Sequence, residues 1–258
     1  MTATAHHFAR LLALALEPGG PPVTATAPVR PESFVPGTTR IRASLLLAMV
    51  DMVAGQTPAG PGTPAVGATM DLRVVLLSPP PETGHLHFRC EPLRAGRRFV
   101  VAETELFADG SPLPFARAVS TFTVLDLGAG LAAGASRVVP VEGGSFDAFL
   151  GARARDEHTL VLDSSPRLAN GPVGTLHGGV QALVAELAAE RVVRGSERRL
   201  AATDLDIRYL DRLRVGPLTA SARQVPSPAG APVAVVRLGD AGSGDRLIGH
   251  ATVAFGEL

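Results

Sequence analysis

The sequence predicts an α+β fold in which one unit, a buried helix followed by four strands, occurs twice. In the first copy, a helix over about 42–51 precedes strand patterns near 69–78, 84–91, 98–107 and 115–125. In the second copy, a helix over about 178–194 precedes strand patterns near 203–210, 218–224, 232–238 and 247–255. A short helix near 145–152 and a strand near 158–162 lead into the second copy. The first helix is apolar nearly all round, which predicts that it is buried.

A constant separation of 135 residues relates the two copies. The matched positions are Arg42 and His177, Asp51 and Glu186, and the strand segments Asp71-Leu72-Arg73 and Asp206-Ile207-Arg208. One acid on each helix, with an Asp-aliphatic-Arg strand after both, indicates a tandem repeat. We expect the copies to span 1–128 and 137–258, joined by a Gly- and Ala-rich linker at 126–136.

The second helix begins at a glycine-rich loop that combines two kinds of chemistry. The loop runs from Asn170 to His177-Gly178-Gly179, and Glu186 is the one acid of the apolar segment 180–186 that follows. Backbone N–H groups at a helix N-terminus attract negative charge, and glycine lets a substrate oxygen approach them closely. A carboxylate on an apolar helix can act as a base or nucleophile whose pKa is tuned by desolvation. Each feature alone is more often structural.

Together these residues resemble the signature of hotdog-fold thioesterases of the phenylacetyl-CoA and 4-hydroxybenzoyl-CoA type. That signature is an Asn or Gln, a short glycine-containing loop, His-Gly-Gly, and then an acid. Six residues separate Gly179 from Glu186, as in the family, and Asn170 lies seven residues before His177. The resemblance is strongest over about 160–258. It implies two hotdog modules, each a long central helix wrapped by a curved antiparallel sheet, paired edge to edge with their helices adjacent.

The resemblance also implies hydrolysis of an acyl-CoA or related acyl thioester without a metal or redox cofactor. An N–H at a helix N-terminus would bind the thioester carbonyl, and an acid from the paired helix would act as base or nucleophile. Because the helices cross, we expect Asp51 to complete one site together with four residues of the second copy: Asn170, His177, Gly178 and Gly179. Glu186 would then face the degenerate start Arg42-Ala43-Ser44. The acyl chain would lie between the modules, against Leu46, Met49, Leu183 and Leu187.

Two alternatives remain open. Hotdog dehydratases and hydratases of acyl thioesters use a His-acid pair, for which His177 is the only candidate here. A non-catalytic acyl-CoA-binding or structural double hotdog is the other alternative, because Arg42-Ala43-Ser44 replaces His-Gly-Gly in the first copy. A fused pair of modules should itself form a homodimer through a further surface.

Composition argues against several other classes of protein. The 24 basic residues, all arginine, balance 24 acidic ones, so no attraction to nucleic acid or anionic lipid is implied. Cys90 is the only cysteine, which excludes an intrachain disulfide and a cysteine-based zinc site. The apolar run 11–16 predicts a capping helix over about 4–16 rather than a signal peptide. No apolar run approaches membrane-spanning length, so we expect a cytoplasmic protein.

Other patterns in the chain have weaker implications. His85 and His87 alternate with apolar residues and should face away from the core, with too few further ligands for a metal. No dinucleotide-binding glycine motif, phosphate-binding loop or Gly-x-Ser-x-Gly nucleophile is present. The pairs Arg97-Arg98 and Arg198-Arg199 are either solvated surface or, in an acyl-CoA enzyme, groups that hold nucleotide phosphates.

Overall fold

The computed structural model describes residues 8–17, 19–57, 67–124, 138–170, 174–193, 200–227 and 231–257. The helices in these ranges are α1 (Phe8–Leu11), α2 (Ala43–Ala54), α3 (Phe146–Leu150) and α4 (Gly178–Val193). The strands before α3 are β1 (Ala15–Leu16), β2 (Val23–Pro28), β3 (Gly67–Leu76), β4 (His85–Ala95), β5 (Phe99–Ala108) and β6 (Ala116–Val124). The later strands are β7 (Arg153–Ala154), β8 (Thr159–Leu162), β9 (Ala169–Asn170), β10 (Thr175–Leu176), β11 (Leu200–Tyr209), β12 (Leu218–Val225), β13 (Val233–Asp240) and β14 (Arg246–Glu257).

Most of the described strands form one antiparallel sheet. Its order is β1-β2-β4-β5-β6-β3-β11-β14-β13-β12-β8-β7, and β9 and β10 form a separate hairpin. The strands that precede α3 therefore occupy one half of the sheet, and the strands that follow it occupy the other half. The two halves meet where β3 pairs with β11.

The pairing of β3 with β11 explains the repeated Asp-aliphatic-Arg segments. Leu72 lies opposite Ile207, and both side chains are buried. On either side of this pair, Asp71 lies opposite Arg208 and Arg73 opposite Asp206. Opposite charges on facing strands attract each other, so one short sequence serves both halves of the junction.

The separation of 135 residues recurs in the backbone hydrogen bonds that start α2 and α4. The N–H of Arg42 donates to the oxygen of Ser33 at 3.0 Å, and the N–H of His177 donates to the oxygen of Leu168 at 2.9 Å. The bridge between Phe34 and Ile41 likewise matches the pair Ala169 and Leu176. Both helices thus begin on the same local backbone arrangement.

The core lies between the inner face of the sheet and the two long helices. Helix α2 packs mainly on strands of the first half, α4 packs on strands of the second half, and the helices pack against each other. Eleven of the 12 residues of α2 are buried, as its apolar sequence predicts. At the contact between the helices, a Cβ on Gly179 would overlap the side chain of Ala48, so glycine there permits the close approach. No described helix has the length and apolar character needed to span a membrane.

Most predicted elements lie within a few residues of the observed ones, but the N-terminal helix over 4–16 is wrong. Within the described residues, helix α1 (Phe8–Leu11) ends at Leu11 because Ala13 takes a φ of 52°, which a right-handed helix does not allow. Ala15 and Leu16 instead pair with β2 as strand β1. The predicted linker 126–136 and residues 4–7 lie outside the described residues.

Candidate active site

Asp51 is a buried acid of α2, and an irregularity in β3 provides its hydrogen-bond partner. Its side chain is only 9% exposed, and its Oδ1 accepts a hydrogen bond of 2.7 Å from Thr69 Oγ1. A β-bulge between Thr69 and Asp71 changes the alternation of β3, so that both Thr69 and Leu72 face the helix. Burial raises the pKa of Asp51 to about 6, and the hydrogen bond from Thr69 opposes this shift.

Gly178, the first residue of α4, lies directly opposite Asp51. A Cβ built on Gly178 would lie 3.1 Å from Asp51 Oδ2 and 3.2 Å from Tyr209 Oη. A carboxylate, a hydroxyl and a bare stretch of backbone therefore meet at one point. Gly178 is partly exposed, and its N–H has no acceptor among the described residues. Such an N–H at the start of a 16-residue helix is a donor available to a substrate oxygen.

Tyr209 lies at the end of β11 and is held against the same glycine. Its hydroxyl donates a hydrogen bond of 2.9 Å to the carbonyl oxygen of Gly178. Burial, with a smaller contribution from the charge of Asp51, raises the pKa of Tyr209 well above its usual value. The hydroxyl therefore remains protonated and acts as a donor beside the carboxylate.

His177 and Gly179 lie behind this point and build the start of α4. The Nδ1 atom of the His177 ring accepts a hydrogen bond of 3.0 Å from the N–H of Gly179. The ring packs edge-on against Phe8, with 5.2 Å between the ring centres. Burial lowers the pKa of His177 to about 4, so the imidazole is neutral at pH 7. The N–H of Gly179 is thus already occupied, unlike that of Gly178.

The structure does not bring Asn170 into this cluster through any described side-chain contact. Asn170 is exposed in the β9–β10 hairpin, where it lies opposite Thr175. Its backbone oxygen accepts a hydrogen bond of 3.1 Å from the N–H of Gly174.

Glu186 lies at the second crossing of the two helices, where α4 passes the start of α2. Its Oε2 accepts a hydrogen bond of 2.7 Å from the N–H of Ser44, near the start of α2. The Arg42 guanidinium, 1% exposed, lies 3.8 Å from Glu186 Oε1 and also pairs with Glu190 and Asp147. Burial raises the pKa of Glu186, although the positive charge of Arg42 opposes the shift. An arginine therefore fills this crossing, whereas none of the described residues places a cation beside Asp51.

The predicted acyl-contacting residues lie in the core. Leu46, Met49 and Leu183 are buried and Leu187 is partly buried. None of them lines the groove at the end of the β4–β5 hairpin. No cluster of three or more His, Cys, Asp or Glu side chains suited to a metal ion occurs in the described ranges.

Thr69 and Tyr209 were not predicted as site residues from the sequence. At the separation of 135 residues they fall on Asp204 and Val74, so the repeat gives no sign of a polar role for either. One signal was available, because Tyr209 is the only tyrosine of the chain. A comparison of the two copies identifies only the residues that both contain. Thr69 and Tyr209 lie at one helix crossing and have no equivalent at the other.

Residues 35–123 match the family model of the acyl-CoA thioesterase N-terminal domain. This range contains Asp51 and Thr69 and lies in the first half of the chain, whereas the resemblance in the sequence was strongest in the second half. No curated protein sequence matches the chain.

Several solved structures share the fold over nearly the whole chain. A tesB protein of Mycobacterium avium subs paratuberculosis is 16% identical with a TM-score of 0.66, covering 94% of this chain and 95% of that one. The acyl-CoA thioesterase II TesB2 of Mycobacterium marinum is 13% identical with a TM-score of 0.61, covering 96% and 97%. A hot dog fold protein of Alicyclobacillus acidocaldarius is 13% identical with a TM-score of 0.64, covering 98% of both chains. The chain therefore has the hotdog fold, and its residues 35–123 are similar to the N-terminal domain of acyl-CoA thioesterases.

Proposed function

We propose that the chain hydrolyses an acyl-CoA at the crossing of α2 with the start of α4, within two hotdog modules fused in tandem over about 1–128 and 137–258. The observation that supports this proposal is the position of the Asp51 carboxylate opposite Gly178. An acid from one helix and an open N–H from the other are the two groups that thioester hydrolysis needs.

In the proposed reaction, the thioester carbonyl oxygen accepts a hydrogen bond from the N–H of Gly178. Ionised Asp51 takes a proton from a water molecule, whose oxygen attacks the carbonyl carbon. Negative charge then develops on the carbonyl oxygen, and the N–H and the dipole of α4 stabilise it. When the tetrahedral intermediate collapses, the C–S bond breaks and the departing sulfur of CoA takes the proton from Asp51. The reaction consumes only water and requires no cofactor.

Thr69 and Tyr209 position the reacting groups in this proposal. Thr69 holds Oδ1 of Asp51 and leaves Oδ2, the atom beside Gly178, as the proton acceptor. Tyr209 fixes the first peptide of α4 by its bond to the oxygen of Gly178. Removal of either hydroxyl should lower turnover without removing the base itself.

We also infer that each chain has one working site. At the second crossing, the N–H of Ser44 is bonded to Glu186 and the buried Arg42 guanidinium occupies the adjacent space. A substrate carbonyl would have to displace both. The acyl group, small or aliphatic, would separate the α2 and α4 side chains that now pack together: Leu46, Met49, Leu183 and Leu187.

A thiol-release assay against acyl-CoAs of different acyl length and aromatic content tests the proposed function. Turnover of at least one member is expected, and Asp51→Asn should abolish it. Measurable binding of several acyl-CoAs with no release of thiol from any would favour the non-catalytic alternative.

A further inference from the structure

A basic groove lies on the outer face of the sheet, at the end of the β4–β5 hairpin. It has a volume of about 540 Å³, which is within the usual range for small-molecule sites. Arg94, Arg97 and Arg98 surround it, and its floor includes Phe99, Val101 and Thr121. These floor residues alternate with the buried Val100 and Ala102, so they point away from the helices.

Three other arginines on this face are paired with acids, unlike the three arginines of the groove. Arg73 pairs with Asp204, Arg117 with Glu105, and Arg208 with Asp206. By contrast, Arg94, Arg97 and Arg98 form no ion pair with any acid among the described residues. Since the chain has a formal net charge of zero, this cluster is a local excess of positive charge.

Phe99 adds an exposed aromatic ring to this positive cluster. Its side chain is 47% exposed, and it is the only phenylalanine among the exposed large hydrophobic residues of the described ranges. Guanidinium groups bind phosphate oxygens through paired hydrogen bonds. An aromatic face is a surface on which a nucleobase stacks. Together these two features match a phosphorylated nucleoside.

The groove is close to the proposed active site. Thr121 pairs with Asp71 on the neighbouring strand β3, and neighbouring strands are about 5 Å apart. Two residues along β3, Thr69 donates its hydrogen bond to Asp51. β3 begins at Gly67, so a flexible arm that passes this end of the strand would cross from the outer face to the helix side.

We propose that this groove binds the phosphorylated adenosine end of the CoA carrier. The adenine stacks on Phe99, and the phosphates accept hydrogen bonds from Arg94, Arg97 and Arg98. The pantetheine arm then passes the N-terminal end of β3 to reach the thioester at Asp51. The identity of the carrier rests on the proposed thioesterase function, whereas the preference for a phosphorylated nucleoside rests on the groove alone.

The test compares two double variants of exposed arginines. Arg97→Ala with Arg98→Ala removes charge from the groove. Arg223→Ala with Arg237→Ala removes equal charge from β12 and β13, where both side chains are exposed. Titration calorimetry with free CoA and with adenosine 3′,5′-bisphosphate measures binding. Steady-state kinetics with one acyl group, carried either by CoA or by pantetheine, measures the contribution of the nucleotide to KM.

The groove variant should raise the Kd for both nucleotides, and the KM for the acyl-CoA, by about tenfold or more. Its KM for the acyl-pantetheine should remain within about twofold of the wild-type value, because that substrate lacks the phosphates. The control variant should match the wild-type protein in every measurement. Phe99→Ala provides a second variant, and it should weaken binding of the bisphosphate by loss of stacking.

Equal nucleotide affinity in the groove variant and the wild-type protein would overturn the proposal. A groove variant whose oligomeric state differs from that of the wild-type protein, but whose CoA binding is unchanged, would also overturn the proposal. The face would then be an interface between two copies of the chain. The outcome is separable from the proposed function. If nucleotide binding depends on the groove but no thiol is released, only the proposed hydrolase function is contradicted. If the protein hydrolyses acyl-CoA and the groove variant behaves like the wild-type protein, only the proposed nucleotide site is contradicted.

Discussion

The carboxylate of Asp51 is buried, so its ionisation costs free energy. Burial raises its pKa to about 6 against an ordinary value of 3.8, so the folded protein binds this proton more tightly than the unfolded chain does. The contribution of Asp51 to stability is therefore full below a pH of about 4 and is lost as the pH rises through about 6. A residue kept in this state destabilises the protein at neutral pH, as functional residues commonly do.

Asp51→Asn should consequently stabilise the protein at pH 8 by about 1–3 kcal/mol and have little effect near pH 4. Asparagine can still accept the hydrogen bond from Thr69 through its oxygen. Thermal or denaturant unfolding at the two pH values measures the difference. A variant that is less stable than the wild-type protein at pH 8 would contradict the raised pKa.

The same pKa sets the pH dependence of turnover. Only the ionised carboxylate can accept a proton from water, so kcat/KM should fall below a pH of about 6 with the slope of a single proton. His177, with a pKa lowered to about 4, should add no second transition between pH 5 and 8. A profile that stays level down to pH 5 would contradict a base whose pKa is raised to about 6.

The same substitution at two adjacent glycines should affect turnover at Gly178 and stability at Gly179. Gly178→Ala brings a methyl group to about 3 Å from Asp51 Oδ2, and it should cut turnover by about tenfold or more through misplacement of the reacting groups. Gly179→Ala forces a methyl group into Ala48 and should destabilise the protein by about 1–3 kcal/mol. Turnover per folded molecule and the free energy of unfolding separate the two effects. An unchanged turnover in Gly178→Ala would place that glycine outside the site.

Among the elements, α2 and α4 are connected through buried charge as well as apolar contacts. Arg42 at the start of α2 pairs with Glu190 of α4 and with Asp147 of α3. Removal of the cation leaves Glu186 and Glu190 buried without it. Arg42→Met should destabilise the protein by about 3–5 kcal/mol, measured by denaturant unfolding. The double variant with Glu186→Gln should recover part of this loss, and a loss in Arg42→Met below about 1 kcal/mol would show that the cluster is not ionised.

The order and the approximate limits of the long elements were predictable from periodicity, as were the matched acids Asp51 and Glu186. Local backbone geometry was not. The bulge that turns Thr69 towards Asp51 has no sequence signal of its own, and the positive φ of Ala13 that ends α1 has none either. His177-Gly178-Gly179 was expected to act as one unit. The structure divides it, because only Gly178 retains an open N–H near an acid.

For the whole molecule, the resemblance to hotdog thioesterases implies further association. We expect a homodimer of the 26.6 kDa chain. Light scattering at several concentrations measures the mass, and a monomer mass throughout would contradict the expectation.

The proposed function assigns different roles to the two helix acids, and a comparison of Asp51→Asn with Glu186→Gln tests this most directly. Steady-state turnover of each variant is measured on the best acyl-CoA and is corrected for the folded fraction. Asp51→Asn should lose about 10²- to 10⁴-fold in kcat. Glu186→Gln should remain within about threefold of the wild-type protein, because its carboxylate already binds Ser44 and lies beside Arg42. Loss of activity in Glu186→Gln with full activity in Asp51→Asn would contradict the assignment.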